Sequence, residues 1–132
     1  MVTRTAIGTR LLLDTADGVF ELIRTAAGDW ERHHRLAQPQ RGQRFWGGRC
    51  LTCDADGQTL YLGTGDGVWR SRDQGLTWLP ASQGLRPRDV WGIEAHPARP
   101  GTIFAGTKPA AIFRSDDFGE TWHETDLSRV PE

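Results

Sequence analysis

The residues able to do chemistry in this chain are few, and most stand alone. The one tyrosine, Tyr61, sits in the apolar run Leu60-Tyr61-Leu62. The two cysteines form Cys50-Leu51-Thr52-Cys53. A redox pair of that spacing should open a helix after a strand. Here the segment reads as a strand, where positions i and i+3 face opposite sides. As a zinc half-site it lacks a second paired motif, and His33, His34, His96 and His123 fall in different parts of the chain. The cysteines therefore read as strand residues, and neither a metal site nor a cofactor is expected. Gly63-Thr64-Gly65-Asp66-Gly67 is glycine-rich, but it joins two strands with no helix following, so a phosphate cradle is excluded. No Ser-His-Asp set or nucleotide-binding glycine pattern is present. What stands out is an acidic octet that occurs twice, Ser71-Arg72-Asp73-Gln74-Gly75-Leu76-Thr77-Trp78 and Ser115-Asp116-Asp117-Phe118-Gly119-Glu120-Thr121-Trp122.

Those octets must be held by a scaffold, and composition bounds it. A chain of 132 residues makes one domain at roughly 100–200 residues each. It is 37% hydrophobic and 25% charged, which excludes a disordered tail and a membrane-spanning chain. The formal net charge of −1 gives no overall attraction to nucleic acid or anionic lipid. One Lys stands against 15 Arg, a bias read as coding preference. Apolar runs such as Leu11-Leu12-Leu13 are too short for a signal peptide, whose core needs roughly 7–15 apolar residues. A cytoplasmic location with no membrane or nucleic-acid partner is the expectation.

The chain repeats. The segments 67–78 and 111–122 align at an offset of 44 residues, and Leu60-Tyr61-Leu62-Gly63-Thr64 matches Ile103-Phe104-Ala105-Gly106-Thr107 at 43. Phe45-Trp46-Gly47 matches Val90-Trp91-Gly92 at 45. A third copy reads at the N-terminus: Thr5-Ala6-Ile7-Gly8-Thr9 as the Gly-Thr strand, Asp17-Gly18-Val19-Phe20 as the next, and Gly28-Asp29-Trp30 as a worn octet ending. In residues 49–82 turn clusters at 54–57, 65–67 and 73–75 separate four short strands. The spacing predicts strands over 49–53, 58–64, 68–71 and 76–81. Helical periodicity is absent. Four strands per roughly 40–45 residues is the period of a propeller blade.

Both octets fit Ser-x-Asp-x-Gly-x-Thr-Trp, and in this they resemble the Asp-box, or BNR repeat, of the sialidase-like, sortilin-like and photosystem-assembly-factor-like β-propellers, many of them labelled glycosyl hydrolases. The resemblance covers about residues 1–126. It implies an all-β fold of four-stranded antiparallel β-propeller blades, about three of them and so a partial propeller: blade one over 1–37 lacking its inner strand, blade two over 44–82 and blade three over 89–126. It implies a structural role for Ser71, Asp73, Gly75, Thr77 and Trp78, and for Ser115, Asp117, Gly119, Thr121 and Trp122. The Asp carboxylate accepts backbone N–H groups of its own turn, the Gly permits positive φ, and the Trp buries its ring. Neither Asp is expected to be catalytic. Propellers close with about four to eight blades, so further blades or self-association would complete a ring.

In propellers of this type, the loop entering the inner strand shares one face with the loop between the second and third strands. That places Arg41, Arg44, Arg49, Arg86, Arg88 and Lys108 against Asp66 and Asp89, with Trp46 and Trp91 at the mouth of the inner strand. Trp46, Arg49, Arg86, Arg88, Trp91 and Lys108 are the ligand candidates, suited to an anionic or glycan ligand through Arg forks and indole stacking. The other end carries Asp54, Asp56, Asp73, Asp116, Asp117 and Glu120 against Arg72 and Arg99. Sialidase chemistry uses a Tyr nucleophile with a carboxylate partner. Tyr61 aligns with Phe104 and Ala6, positions that want an apolar residue, so no catalytic residue is assigned. The chain reads as a binding scaffold for an anionic or carbohydrate ligand or a protein partner. The alternative is a sialidase-like glycosyl hydrolase whose catalytic residues lie largely outside it.

Overall fold

A computed structural model describes residues 3–7, 10–15, 18–34 and 48–126. It holds three four-stranded antiparallel sheets, each formed by strands consecutive in sequence. The first contains β1 (Thr3–Ile7), β2 (Arg10–Thr15), β3 (Gly18–Arg24) and β4 (Trp30–His34). The second contains β5 (Gly48–Cys53), β6 (Leu60–Thr64), β7 (Gly67–Ser71) and β8 (Leu79–Pro80). The third contains β9 (Asp89–Ala95), β10 (Ile103–Lys108), β11 (Ala111–Ser115) and β12 (His123–Glu124). No helix occurs among the described residues, so none there is long and apolar enough to cross a membrane.

The sheets stack face to face, like consecutive propeller blades. β5 lies against β1 and β2, and β9 lies against β5 and β6. Strand alternation gives each sheet one apolar face toward the blade before it, here called leading, and one toward the blade after it, called trailing. Between blades one and two, the trailing Leu12 and Val19 meet the leading Leu51, Leu60, Leu62 and Trp78. Between blades two and three, the trailing Cys50, Tyr61 and Val68 meet the leading Ile93, Ile103, Ala105, Phe113 and Trp122. The core is thus two interblade layers, and no blade buries both faces on its own strands.

Close approach at the second joint requires a glycine. A Cβ on Gly63 would overlap Cys50 Sγ and the Val90 side chain of the next blade. The equivalent in blade three is Gly106, which pairs with Gly92 and Ile112 as Gly63 pairs with Cys50 and Val68. In blade one it is Asp14, paired with Thr3 and Val19.

That register corrects the repeat alignment in two places. Blade one is not missing its inner strand: β1 pairs along all of its length with β2. The Gly-Thr strand is therefore represented by residues 10–15, with Asp14-Thr15 at the place of Gly63-Thr64, and not by residues 5–9. Secondly, the bulge register sets Gly48-Arg49-Cys50 beside Val90-Trp91-Gly92. Trp91 therefore corresponds to Arg49 and not to Trp46. The fourth strands are also shorter than the span 76–81, because residues 71–78 are held in a turn before Leu79.

Candidate functional site

The two octets fold identically. Ser71 Oγ accepts from Gly75 N at 2.7 Å and donates to Asp73 Oδ1 at 2.8 Å. Asp73 Oδ1 accepts from Thr77 N at 2.8 Å, and Oδ2 accepts the Thr77 hydroxyl at 2.6 Å. In the second octet the matching distances are 2.9, 2.8, 2.9 and 2.5 Å. The backbone takes positive φ at two successive residues, Gln74 (60°) and Gly75 (91°), repeated at Phe118 (60°) and Gly119 (80°). The glycine meets this at little cost, while the preceding residue is held there by the surrounding bonds. Burial pushes the Asp73 and Asp117 carboxyls up, but the bonds from Thr77 and Thr121, and from Ser71 and Ser115, outweigh it and hold both below the ordinary range.

Trp78 and Trp122 are buried, as expected of residues packing under their turns. Their indole N–H groups differ in destination. Trp78 Nε1 donates to Gly75 O of its own turn at 3.0 Å, and Trp122 Nε1 crosses to Ala81 O of blade two at 2.8 Å. In blade one, Gly28 keeps the positive φ (91°), Thr25 Oγ1 accepts from Asp29 N at 3.2 Å, and Trp30 is 49% exposed.

Tyr61 is fully buried between blades two and three, its hydroxyl donating to Asp54 Oδ1 at 3.3 Å. Burial and the Asp54 charge drive its phenol far above the usual range. Asp54, also buried, accepts Gly101 N of blade three at 2.9 Å. Cys50 and Cys53 are free thiols on opposite faces of β5. Burial, followed by the Asp14 charge, pushes Cys50 up to about 12, and burial raises Cys53 as well. No group of three or more His, Cys, Asp or Glu that could hold a metal ion occurs among the described residues.

The opposite end of the sheets, where β5 and β9 begin, gathers most of the ligand candidates. In both strands the ladder slips by one residue, and the extra residue is Arg49 in β5 and Trp91 in β9. A bulge re-aims its side chain, and these two meet: the Arg49 guanidinium lies over the Trp91 ring, 4.5 Å from its centroid. Lys108, at the end of β10, puts Nζ 5.6 Å from the same ring. Asp89 ties the group together, accepting from Trp91 Nε1 at 3.1 Å and pairing with Arg49. Trp91 nevertheless remains 52% exposed. Arg88 lies along the same rim, 3.9 Å from Asp66, with its main-chain O accepting from Gly67 N at 2.7 Å. Arg86 is exposed nearby in sequence. Trp46, with Arg41 and Arg44, lies outside the described residues.

Among the six candidates, the structure therefore brings Arg49, Trp91 and Lys108 into contact and sets Arg88 beside Asp66. Asp89, which the candidate set omitted, is the residue that orients the cluster. Its two-residue spacing from Trp91 puts both on one side of a strand, but only the bulge brings Arg49 to them. A half-exposed indole flanked by cations can stack on a flat apolar ligand surface while Arg and Lys meet its negative charge.

No known protein-family model matches the chain. A curated relative, xyloglucanase Xgh74A of Acetivibrio thermocellus, is 33% identical over an alignment covering 60% of this chain. The chain spans 12% of that relative's length. Among solved structures, YCF48 bound to D1 peptide superposes with a TM-score of 0.66 at 17% identity, covering 92% of this chain and 39% of that one. A GH74 enzyme of Niastella koreensis superposes at 0.59 with 22% identity, covering 91% and 21%. With the three stacked sheets, these likenesses establish an all-β fold of β-propeller type, represented here by three blades.

Proposed function

We propose that the chain is a set of Asp-box propeller blades serving as a binding scaffold, and that its ligand, anionic or carbohydrate, docks at the blade end built from Arg49, Trp91 and Lys108. The observation that carries this reading is the meeting of two equivalent bulges: adjacent blades each spend an irregular residue at one end of the sheet, and the two residues stack. A titration of the purified chain with a xyloglucan oligosaccharide and with an acidic peptide tests it. Binding of either, weakened about tenfold or more by Trp91→Ala, is expected; that factor corresponds to about 1.4 kcal/mol. Equal affinity in the Trp91→Ala chain, or no binding of either probe, would overturn it.

A second reading, a piece of a glycoside hydrolase, is favoured by the similarity to the xyloglucanase. Glycoside cleavage by the usual route needs two carboxyl groups flanking one bond. At the rim, Asp89 is engaged by Arg49 and Trp91, and Asp66 lies 3.9 Å from Arg88. Tyr61, sealed in the core, cannot serve as a nucleophile. This reading therefore requires catalytic groups supplied from outside these three blades. Release of reducing ends from xyloglucan by a longer protein that carries this chain together with those groups, and not by the chain alone, would displace the scaffold reading in favour of the hydrolase.

A further inference from the structure

We infer that the trailing face of blade three is a docking surface for the leading face of blade one of a second copy, so that two chains close head to tail into one ring. The two joints already present define what each face accepts. The trailing pairs Leu12 with Val19 and Tyr61 with Val68 are fully buried by the blade that follows. The third such pair is Phe104 with Ile112: Phe104 is partly exposed and Ile112 is 38% exposed. Around them lies a shallow hollow of about 340 Å³, bordered by Gly92, Glu94 and Gly106. A Cβ on Gly92 or Gly106 would meet nothing within 4 Å, whereas one on the equivalent Gly63 would overlap the next blade.

Blade one shows the reciprocal surface. The leading residues Leu60, Leu62 and Trp78 are buried, as are Ile103, Ala105 and Trp122. Their counterparts Leu11, Leu13 and Trp30 are not, and Phe20 and Leu22 share that face with them.

The polar chemistry also matches. At the second joint Arg70 donates to Phe118 O at 2.6 Å and pairs with Glu120 at 2.8 Å. At the first joint Arg10 donates to Gln74 O, the same position in the earlier octet. Arg114 of blade three occupies the place of Arg70, over Phe104 and paired with Asp116 on its own blade. Blade one offers the receptor: the Ala27 carbonyl ahead of the positive-φ Gly28, and Asp29 where the later turn has Glu120. Such a contact is heterologous, and it ends only if the rotation closes. Two copies supply six blades, within the range of about four to eight that propellers use; three would supply nine.

The test is the mass of the full chain by sedimentation equilibrium, with Leu13→Glu altering the leading face and Ile112→Glu the trailing face. A mass of two chains is expected, falling to one in either variant. A mixture of the two variants should regain pairing, because one of its two joints is intact. That recovery also shows that both variants are folded. A single-chain mass for the unaltered protein, a mass above two chains, or a variant that pairs alone would each overturn the proposal. Ligand binding by the single-chain variants is a separate readout, since the Arg49–Trp91 rim lies within one copy.

Discussion

At the scale of single residues, the acidic side chains divide by what surrounds them. Asp73 and Asp117 each accept bonds from a Ser hydroxyl and from a Thr N–H and hydroxyl. Their carboxyls are held below the ordinary value near 3.9, so the stability they contribute is fully present above about pH 4 and lost as pH falls through the lower folded value. Thermal unfolding followed from pH 7 down to pH 3 should show this loss, and Asp73→Asn with Asp117→Asn should flatten it. Each substitution should cost about 1–2 kcal/mol at pH 7, the lower part of the range for bonds to charged groups, because both turns face solvent. The thiols make a second residue-scale prediction. With Cys50 buried and its thiol pushed up to about 12, a disulfide reagent at neutral pH should label Cys50 only as fast as the chain opens, while the partly exposed Cys53, raised in the same direction, reacts first. Rapid labelling of Cys50 in the native protein would show that the packing around β5 is not as described. The octet's hydrogen-bonded turn was legible in the sequence because its residues bond to one another within a few positions. The Arg49–Asp89–Trp91 contact was not, since it depends on a ladder slip that leaves no trace in residue type.

At the scale of elements, the three sheets differ in what they ask of their second strand. Gly63→Ala should cost about 1–3 kcal/mol, the range for overpacking a tight core, because β5 and β9 converge on it. The same change at Gly106 meets open space and should leave the melting temperature of the dilute chain nearly unchanged. Denaturant titration of both variants checks this, and equal losses would mean that blade three's trailing side is already covered. Strand order and blade count could be read from the turn clusters. The inner strand of blade one could not, because Thr3–Ile7 shares no motif with β5 or β9 and is defined only by pairing with β2. Likewise, aligning on the Trp46 and Trp91 indoles chose the wrong partner, since register follows hydrogen bonds and the connectors between blades differ in length.

At the scale of the whole molecule, stability resides in the joints. The second is rich in directed bonds: Trp122 N to Gln83 O at 2.9 Å, Trp122 Nε1 to Ala81 O at 2.8 Å, Gly101 N to Asp54 at 2.9 Å, and Arg70 to Phe118 O at 2.6 Å. The first packs Leu12 and Val19 against Leu60, Leu62 and Trp78, with Arg10 reaching Gln74. Native-state amide exchange should therefore protect β6, β7, β10 and β11 more strongly than β2 and β3. Equal protection throughout would show that all three sheets open as one unit.

The crossing of Trp122 into blade two has a mechanical meaning. Its indole hangs from a main-chain oxygen that belongs to the neighbouring hairpin, whereas Trp78 hangs from its own. The middle and last sheets are thus buckled to each other by an indole, whereas the first is tied to the middle one through Arg10 and Gln74. Pulled from its ends, the chain should shed its opening hairpins early and surrender the remaining pair together, in a single later rupture.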